Sequence, residues 1–468
     1  MKRFSALLFV GLMLTGCAIG PNYKRPAVPS QPQFRGPDNT LTPAAAKSIA
    51  DEKWFDLFHD DVLKQLVDTA LAQNYDVRIA AERVLENRAQ FGITRSYELP
   101  EVDASAQFDA IRNSRIGSFR FLPNNANLDV SYTQAGFSLS WELDVWGRLR
   151  RLTEAARAQY LASEQARRGV ITTLVADVTT SYFDLRELDL ELEIGQKTRA
   201  LAQDGLRLTE LRHTRGVVTG LDVSQAQQLL YTATAQIAAT QRGIQQGEDS
   251  LSLLLARNPG PIPRGKTLDA LVAPPDIPAG LPSALLDRRP DIRQAEDMLI
   301  AANAEIGAAK AEYFPQITLT SFVGGQSRAL TDLFTGPGRQ WSFVPTATLP
   351  IFNAGRIHAN VKLTEAQQRE AVLNYQKTIQ TAFREVSDSL IGYTKTKEQR
   401  SQQELLVKAL ENSDRLSRLR YKGGLDSFLQ VLDADRNLFE GQLTLAQLKR
   451  DELLSVVNLY RALGGGWQ

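Results

Sequence analysis

The side chains able to carry out chemistry are few in this 468-residue chain, which has one cysteine and three histidines. The histidines, His59, His213 and His358, are far apart, and none has the spacing typical of a metal or hydrolase site. The sequence also lacks a glycine-rich phosphate loop, an HExxH motif and a GxSxG motif. We therefore expect no catalytic residues, no metal site and no cofactor, and the protein is not predicted to be an enzyme.

The single thiol, Cys17, closes a short apolar run near the start of the chain. Lys2 and Arg3 precede a largely apolar stretch at 4–14, which is too short to cross a bilayer as a helix but fits a secretory signal. Residues 14–17, Leu-Thr-Gly-Cys, resemble the bacterial lipobox, whose cysteine is lipidated and becomes the first residue after cleavage. An ordinary signal peptide that is discarded together with the cysteine is the alternative.

A lone thiol cannot form an internal disulfide, so we assign a covalent lipid to Cys17. Residues 1–16 are then the signal peptide, and Ala18 after the cysteine resembles the class of lipoproteins sorted to the outer membrane. Residues 17–53, which are rich in proline, alanine and glutamine, are predicted to form an extended tether after the lipid.

Composition excludes further function classes. The formal charge of +1 becomes −1 once Lys2 and Arg3 leave with the signal, since two positive charges are lost, so nothing favours nucleic acid as a partner. Beyond the signal there is no run of eighteen apolar residues, and no transmembrane helix is expected. The length allows two or three ordinary domains.

The chain repeats itself. Residues 76–102 align without gaps on 291–317, and 211–227 align on 419–435. The matched positions include Asp76/Asp291, Arg78/Arg293, Ala80/Ala295, Ala89/Ala304, Gly92/Gly307, Pro100/Pro315, Arg212/Arg420, Gly216/Gly424, Leu221/Leu429, Val223/Val431 and Ala226/Ala434. We therefore predict two tandem repeats, 54–260 and 291–468, joined by a segment at 261–290.

Each repeat is predicted to contain two strands, at about 101–111 and 128–146 and at about 316–326 and 340–352. In the first strand, Val102, Ala104, Ala106, Phe108 and Ala110 alternate with Asp103, Ser105, Gln107 and Asp109, the period of two that is typical of a strand. In the second strand the alternation changes phase, because Val130 and Tyr132 are out of step with Ala135 and Phe137. We expect a β-bulge near Thr133.

The helices are long for an ordinary domain. Proline-free stretches predict helices at about 147–212, 221–256, 355–421 and 426–463, with a shorter helix at about 76–97. About 60 residues at a rise of about 1.5 Å would extend for about 90 Å. Such lengths indicate a coiled-coil-like assembly.

Four two-faced strands per chain cannot close on themselves, because small barrels need about eight strands. An open sheet would leave edges that aggregate, so the sheet either packs on the helices or closes with strands of other copies. The helices are too long to cover so small a sheet compactly, which favours closure by other copies. Two copies would give eight strands and three copies would give twelve, and either number suffices for a closed barrel.

Several motifs, LTGCAIGPNYKRP, DVWGRLRR, LLDRRPDIRQAEDMLIAANAEIGAAKAEYFPQITLT, IFNAGRIHA and ALGGGW, resemble the outer-membrane lipoproteins of the TolC/OprM superfamily. The resemblance covers nearly the whole mature chain and lies in the NodT-type branch that serves resistance–nodulation–division (RND) pumps. It implies a mixed α and β membrane protein: a TolC-like trimer with a shared twelve-stranded transmembrane β-barrel and a long periplasmic α-helical barrel. Segments near 54–73, 257–288 and the C-terminus would form a belt around the helices.

The resemblance also implies the function: a passive exit duct for small molecules, the outer-membrane part of a tripartite efflux system. The implied partners are two further copies in a homotrimer, a periplasmic adaptor, an inner-membrane RND pump and outer-membrane lipid. A type I secretion exit channel is one alternative. A lipid-anchored periplasmic coiled-coil scaffold without a pore is the other.

By the same resemblance, the gate lies at the periplasmic end of the helices. Asp433 matches the position whose carboxylates form a ring in the family, and Leu429 matches a constricting apolar position; four residues apart, they share one helix face. Gln430, Asp222 and Gln225 are assigned to the gate with them. A solvated helix residue is the alternative for Asp433.

The sequence departs from the family pattern at two gate features. Many relatives carry a second aspartate where Gln430 stands, so a single carboxylate ring is expected. In TolC an ionic brace joins two positions that here hold Asp222 and Asp426, both acidic, so that brace is expected to be absent. The residues that hold the gate in its closed state are not identified by the sequence.

Two helix-turn-helix tips, Arg212–Gly220 and Arg420–Leu425, are the candidate docking site. The glycines Gly216, Gly220, Gly423 and Gly424 permit tight turns, and Arg212 and Arg420 lie at helix C-termini, where cations are favourable. By resemblance the tips contact the hairpin tips of the adaptor. The assigned residues are Arg212, Gly216, Val218, Gly220, Arg420, Gly424 and Leu425; simple connecting turns are the alternative.

Overall fold

The computed structural model describes most of the chain after residue 17. The described residues are 18–27, 33–37, 48–51, 58–117, 121, 123, 126–271, 273 and 282–465. The predicted signal peptide and Cys17 lie outside the described residues, as do parts of the predicted tether.

Four strands and eight α-helices organise these described residues. The strands are β1 (Glu101–Arg112), β2 (Asp129–Leu143), β3 (Gln316–Ser327) and β4 (Arg339–Thr348). The helices are α1 (Asp61–Gln73), α2 (Tyr75–Ser96), α3 (Arg148–Thr214), α4 (Gly220–Leu254), α5 (Pro282–Arg288), α6 (Pro290–Ala311), α7 (Arg356–Lys422) and α8 (Phe428–Ala462). Helices α3 and α7 each contain 67 residues.

The chain divides into two compact units that differ from the two predicted repeats, because each unit draws on both halves of the sequence. The first unit contains the described parts of Met1–Ala27, Val84–Ser163 and Ala295–Tyr375. The second contains the described parts of Val28–Arg83, Glu164–Gln294 and Gln376–Gln468. Helices α3 and α7 therefore contribute residues to both units.

The first unit contains the sheet, whose four strands are antiparallel and ordered β1-β2-β3-β4. The registers place six large, exposed apolar side chains on one face: Val102, Phe108, Phe137, Val323, Trp341 and Phe343. The opposite face is mostly polar and includes Asp103, Gln107, Asp109, Gln134, Ser138, Thr318, Thr320, Ser342 and Thr346. The alternation predicted from the sequence thus gives a sheet with two chemically different faces.

The bulge expected near Thr133 is absent, and that prediction was wrong. The pairing of β1 with β2 runs without interruption from Glu101 opposite Ser140 to Arg112 opposite Asp129. Tyr132 lies opposite Asp109 on the polar face, where its hydroxyl hydrogen-bonds the carboxylate. The pattern changes phase because Val130, which lies opposite Ile111, and the amphipathic Tyr132 both occupy positions on the mostly polar face, and the strand itself does not slip.

Two strands end earlier than expected. β2 ends at Leu143 rather than near 146, and β4 ends at Thr348 rather than near 352. Pro350 follows β4 closely, and proline has no backbone N–H to donate to a sheet ladder.

One apolar ring on the polar face has a structural role. Gly136 of β2 lies opposite Gly324 of β3, and the ring of Phe322 covers both. A Cβ built on Gly136 would lie 2.8 Å from the Cζ of Phe322, and one built on Gly324 would lie 2.7 Å from it. The ring therefore packs on bare backbone, the arrangement by which an aromatic side chain compensates for strand glycines.

We predict that Gly136→Ala destabilises the protein by about 1–3 kcal/mol, because the new methyl group would overpack a closed site. The methyl carbon would also lie 2.6 Å from the Cα of Gly324, which is backbone and cannot turn away. Thermal unfolding in detergent measures the loss. Gly336→Ala is the matched control, since a Cβ there meets no atom within 4 Å. Equal effects of the two substitutions would contradict this description of the sheet.

Small residues allow close helix packing in the first unit. Ala155 and Ala158 of α3 contact Ala301 and Ala304 of α6, and all four are buried.

In the part of the chain that the structure describes, none of the helices is both long enough and apolar enough to cross a membrane.

In the second unit, Asp60 joins three segments of the chain. Its Oδ1 accepts hydrogen bonds from the backbone N–H groups of Val62 (2.9 Å) and Leu63 (3.1 Å) and so caps α1. Its Oδ2 accepts from the hydroxyl of Tyr182 on α3 (2.9 Å) and from the backbone N–H of Lys266 (3.0 Å). One buried carboxylate thus holds the start of α1 and the segment after α4 against α3.

Candidate functional site

The segment Ala18–Arg25, here called the strap, begins one residue after Cys17 and packs within the first unit. The backbone N–H of Ile19 donates to the carbonyl oxygen of Trp146 at 3.0 Å. Gly147 has a φ of +78°, and a Cβ there would lie 2.7 Å from the Cα of Ala18. The strap therefore begins in contact with the short connection between β2 and α3.

Buried polar groups hold the rest of the strap. Arg151, which is 4% exposed, donates from Nε to the carbonyl oxygen of Ile19 (3.2 Å) and from Nη2 to Oδ1 of Asn22 (2.8 Å). Glu296 on α6 accepts from Nη2 of Arg25 (2.7 Å) and from the hydroxyl of Tyr23 (3.1 Å). These contacts fix the strap as part of the folded unit.

In the second unit, three of the five predicted gate residues line one groove of about 430 Å³ between α4 and α8: Gln225, Leu429 and Asp433. Leu429 is 49% exposed and lies at the start of α8, with Asp433 one turn further on. Asp222 and Gln430 do not line the groove; they occupy the first turns of α4 and α8, next to the tips.

Asp433 has a basic neighbour that the sequence analysis missed. Nη2 of Arg436 lies 3.4 Å from Oδ1 of Asp433, and Nδ2 of Asn437 donates to Oδ2 at 3.2 Å. Arg436 also lines the groove. The spacing of three residues on a helix is the signal that could have found this pair. The groove is therefore lined by an ion pair, the carboxylate of Asp433 and the guanidinium of Arg436.

The tip at Arg212–Gly220, here called tip 1, connects α3 to α4, and the tip at Arg420–Leu425 is here called tip 2. Gly216 has a φ of +74°, and the N–H groups of Gly216 and Val217 donate to the carbonyl oxygens of His213 and Arg212, each at 2.9 Å. This Schellman pattern is typical of a helix that ends on glycine. Nδ1 of His213 lies 3.0 Å from the carbonyl oxygen of Val218, and Gly220 is the first residue of α4.

A capping box starts the second helix of tip 1. The N–H of Thr219 donates to Oδ2 of Asp222 at 2.8 Å, and the side chain of Thr219 accepts from the N–H of Asp222. Hydrogen bonds from Thr219 lower the pKa of Asp222 below its ordinary value. The carboxylate of Asp222 therefore caps its own helix through Oδ2.

Tip 2 connects α7 to α8 by the same turn. Gly424 has a φ of +71°, and the N–H of Leu425 donates to the carbonyl oxygen of Arg420 at 2.9 Å. Ser427 precedes α8, but its side chain makes no capping hydrogen bond. Of the four glycines predicted to permit the turns, Gly216 and Gly424 have positive φ, whereas Gly220 and Gly423 do not.

Tip 2 is stabilised by an ion pair, whereas tip 1 is stabilised by the capping box of Thr219 and Asp222. Arg420 contacts Asp426 through two hydrogen bonds, from Nε to Oδ2 at 2.5 Å and from Nη2 to Oδ1 at 3.0 Å. Arg420 lowers the pKa of Asp426. In tip 1 the position that corresponds to Asp426 is Val218, whose apolar side chain cannot form an ion pair with Arg212. Asp426 is therefore braced within its own tip.

Arg212 instead joins the two tips. Its guanidinium carbon lies 4.4 Å from the ring centroid of Tyr421, a cation–π contact, and Tyr421 packs against Phe428 at a centroid distance of 5.2 Å. Tyr421, Phe428, Ala202, Ala226 and Val431 belong to one buried apolar cluster beneath the tips. Tyr421 was missed because its partner Arg212 is in the other repeat, and neither residue's local sequence indicates the contact.

We predict that Thr219→Ala weakens the first turn of α4 by about 1 kcal/mol, the usual cost of a lost helix cap. Ser427→Ala at the matching position of tip 2 should have little effect, because Ser427 makes no capping hydrogen bond. Amide hydrogen exchange of the two first turns measures both. Since the pKa of Asp222 is lowered, the cap should persist above the ordinary aspartate pKa of about 3.9 and weaken as the pH falls further. Equal losses from both substitutions would contradict the capping difference.

Among the described residues, no group of three or more histidine, cysteine, aspartate or glutamate side chains is arranged to hold a metal ion.

Comparison with known proteins places this geometry in a family. The model of the outer membrane efflux protein family matches residues 66–257 and 281–465. The toluene efflux pump outer membrane protein TtgI of Pseudomonas putida is 40% identical over 470 residues, which cover 100% of this chain and 99% of that protein. The cation efflux system protein CusC of Escherichia coli is 36% identical over 460 residues, which cover 98% of each.

A solved structure shows the same fold. The open state of the MtrE outer membrane channel of Neisseria gonorrhoeae is 31% identical and superposes with a TM-score of 0.86, covering 97% of this chain and 99% of that one. The protein is located in the outer membrane, takes part in efflux and has the fold of TolC-like channels. The match over most of both halves shows that the chain belongs to the outer membrane efflux protein family.

Proposed function

We propose that the protein is the passive exit duct of a tripartite efflux system. Small molecules would reach it from an inner-membrane RND pump through a periplasmic adaptor and leave across the outer membrane. The observation that carries the proposal is the two-faced sheet, with exposed aromatic and aliphatic side chains on one face and polar side chains on the other. Lipid would cover the apolar face, and the polar face would line a wet channel.

The sheet needs other copies to become a closed wall. β1 and β4 are its edge strands, and each presents an unpaired side to a neighbour. We propose a homotrimer in which three four-stranded sheets form one twelve-stranded transmembrane barrel, with the long helices forming the periplasmic tunnel. The internal repeat would make the threefold tunnel nearly sixfold.

A lipid on Cys17 would anchor each chain to the outer membrane. The strap supports this, because it holds the residues directly after Cys17 against the connection between β2 and α3, where the sheet meets the helices. Replacement of Cys17 by serine should abolish labelling with radioactive palmitate. Retained labelling would contradict the anchor.

Leu429 and Asp433 are proposed as the gate, with Gln225 beside them and Asp222 and Gln430 at the adjoining turns. Three copies of each side chain would form an apolar constriction and a charged ring. Tips 1 and 2 are proposed to contact the adaptor. Their stiff turns support this role, because pre-ordered segments lose less entropy when they bind.

The duct is proposed to accept small molecules of more than one chemical class. The names of TtgI and CusC refer to toluene and to cations respectively, although the two proteins are similarly related to this chain. A permissive duct, with selection made by the pump, accounts for both. Growth of a deletion strain against a panel of drugs, solvents and metal salts would identify the cargo.

Single-channel recording in planar bilayers tests the duct. The purified protein should give discrete conductance steps of one main size. A lipid-anchored scaffold without a pore would give none, and that result would overturn the proposal.

A further inference from the structure

Two carboxylates share one arginine on the side of the gate helix α8 that faces α7. Nε of Arg418 donates to Oδ1 of Asp414, one turn earlier on α7, at 2.8 Å. Nη2 of the same arginine donates to Oδ1 of Asp435 on α8. Asp435 follows Asp433 by two residues, so the two carboxylates point to different sides of α8. The cluster therefore joins the gate helix to its neighbour from behind the groove.

The surroundings of the cluster are largely closed to water. The side chains of Asp435, Asp414 and Arg418 are 13%, 17% and 30% exposed. A cavity of about 220 Å³ adjoins them, and its other charged lining groups are Lys197 of α3 and Glu411 of α7. From α4 the lining residue is apolar, Leu229. Lys197 and Glu411 offset each other, so full ionisation of Asp414 and Asp435 leaves one excess negative charge beside Arg418.

That excess charge makes the cluster sensitive to protons. Burial, together with the hydrogen bond to Asp414, raises the pKa of Asp435 to about 7. With one proton shared, the cluster is neutral and the two carboxyl groups can hydrogen-bond each other. With both groups ionised, they repel, and the single arginine cannot compensate both.

The cluster is specific to the hairpin that carries the gate. The turn glycines Gly216 and Gly424 align the two repeats, and at the positions of Asp414, Arg418 and Asp435 the first repeat has Leu206, Glu210 and Gln227. The first hairpin is thus built without such a cluster. Because the α3–α4 hairpin folds without this cluster, the cluster in the α7–α8 hairpin is not a requirement for forming such a hairpin.

We propose that Asp414, Arg418 and Asp435 form a proton-operated clamp that holds α8 against α7 and so stabilises the closed gate. The clamp is tight when its carboxylates share a proton and weak when both are ionised. This inference rests on the proposed role of α8 as the gate helix. Its three residues are positioning residues, since they act on the channel through α8.

The direction of the pH effect follows from linkage. The clamped state binds a proton with a pKa near 7, whereas a released, solvated aspartate binds it with a pKa of about 3.9. Low pH therefore favours the clamped state, and this advantage is lost as the pH rises through 7. Between pH 6 and pH 8 the ratio of clamped to released hairpins should fall about tenfold per protomer.

Planar bilayer recording at pH 6 and pH 8 tests the clamp. The open fraction of the wild-type channel should rise with pH. Asp435→Asn, which mimics the protonated side chain without changing its size, should stay at the low open fraction at both pH values. Asp204→Asn, which removes an exposed carboxylate of α3, should behave as the wild type. A wild-type channel without pH dependence, or an Asp435→Asn channel with unchanged pH dependence, would overturn the clamp.

A second measurement does not need conduction. Infrared difference spectra between pH 6 and pH 8 should show a larger loss of protonated carboxyl absorption in the wild type than in Asp435→Asn. Some loss remains in both proteins, because burial raises the pKa of Glu187 to about 8. Equal losses in the two proteins would overturn the clamp. Absence of conductance from every variant, with the infrared result as expected, would count against the proposed duct instead.

Discussion

Asp433→Ala should raise the single-channel conductance several-fold and lower the preference of the channel for cations. In the proposed trimer this substitution removes three carboxylates from a narrow ring, and rings of charged side chains set ion selectivity. It also leaves Arg436, 3.4 Å from the lost carboxylate, without that partner. The ring then changes from paired charges to uncompensated positive charge. Conductance and reversal potential in a salt gradient measure the two effects.

Arg436→Gln is the matched variant, because it removes the other half of the same pair. It should increase the preference for cations, opposite to the effect of Asp433→Ala, since Asp433 is then uncompensated. Leu429→Ala should raise conductance with little change in selectivity, because it widens the constriction without altering charge. Shifts of selectivity in the same direction for Asp433→Ala and Arg436→Gln would contradict the assignment of this pair to the gate.

Asp60→Ala should destabilise the protein by about 3–5 kcal/mol. The substitution removes a helix cap and leaves two further donors, the hydroxyl of Tyr182 and the N–H of Lys266, without their acceptor. Both donors are partly or fully buried, and Tyr182 is 0% exposed. Thermal unfolding in detergent, followed by tryptophan fluorescence, measures the loss.

Two variants accompany Asp60→Ala. Asp60→Asn keeps one oxygen for the helix cap and should therefore cost less than alanine. Asp61→Ala, an exposed carboxylate in the first turn of α1, is the control and should cost less than about 1 kcal/mol. If Asp60→Ala and Asp61→Ala were equally mild, the carboxylate of Asp60 would not be the joint between α1, α3 and the segment after α4.

Local patterns in the sequence predict much of the structure. The strict alternation from Val102 to Ala110 gives both faces of β1, and the repeated arginine and glycine of 212–216 and 420–424 give both helix-ending turns. These features depend on residues within a few positions of each other, where periodicity and turn chemistry act. The exceptions are Val130, which is apolar, and Tyr132, which has an apolar ring and a polar end; both lie on the polar face, so hydrophobicity alone misplaces them.

Contacts between distant segments could not be predicted in this way. Arg151 binds Ile19 across 132 positions, and Tyr182 binds Asp60 across 122. Arg418 and Asp435 are only 17 positions apart, but they lie on different helices whose relative rotation the sequence does not reveal. The contact of Arg212 with Tyr421 and the proposed clamp are of this kind, whereas Arg436 lies three positions from Asp433 on one helix and is a local neighbour.

In the proposed trimer, one polypeptide supplies a third of the channel wall. Native mass spectrometry of the detergent-solubilised protein tests it most directly. We expect a particle of three identical chains that persists on dilution, because separation would expose the edges of β1 and β4. A stable single chain, or a dimer, would contradict the account.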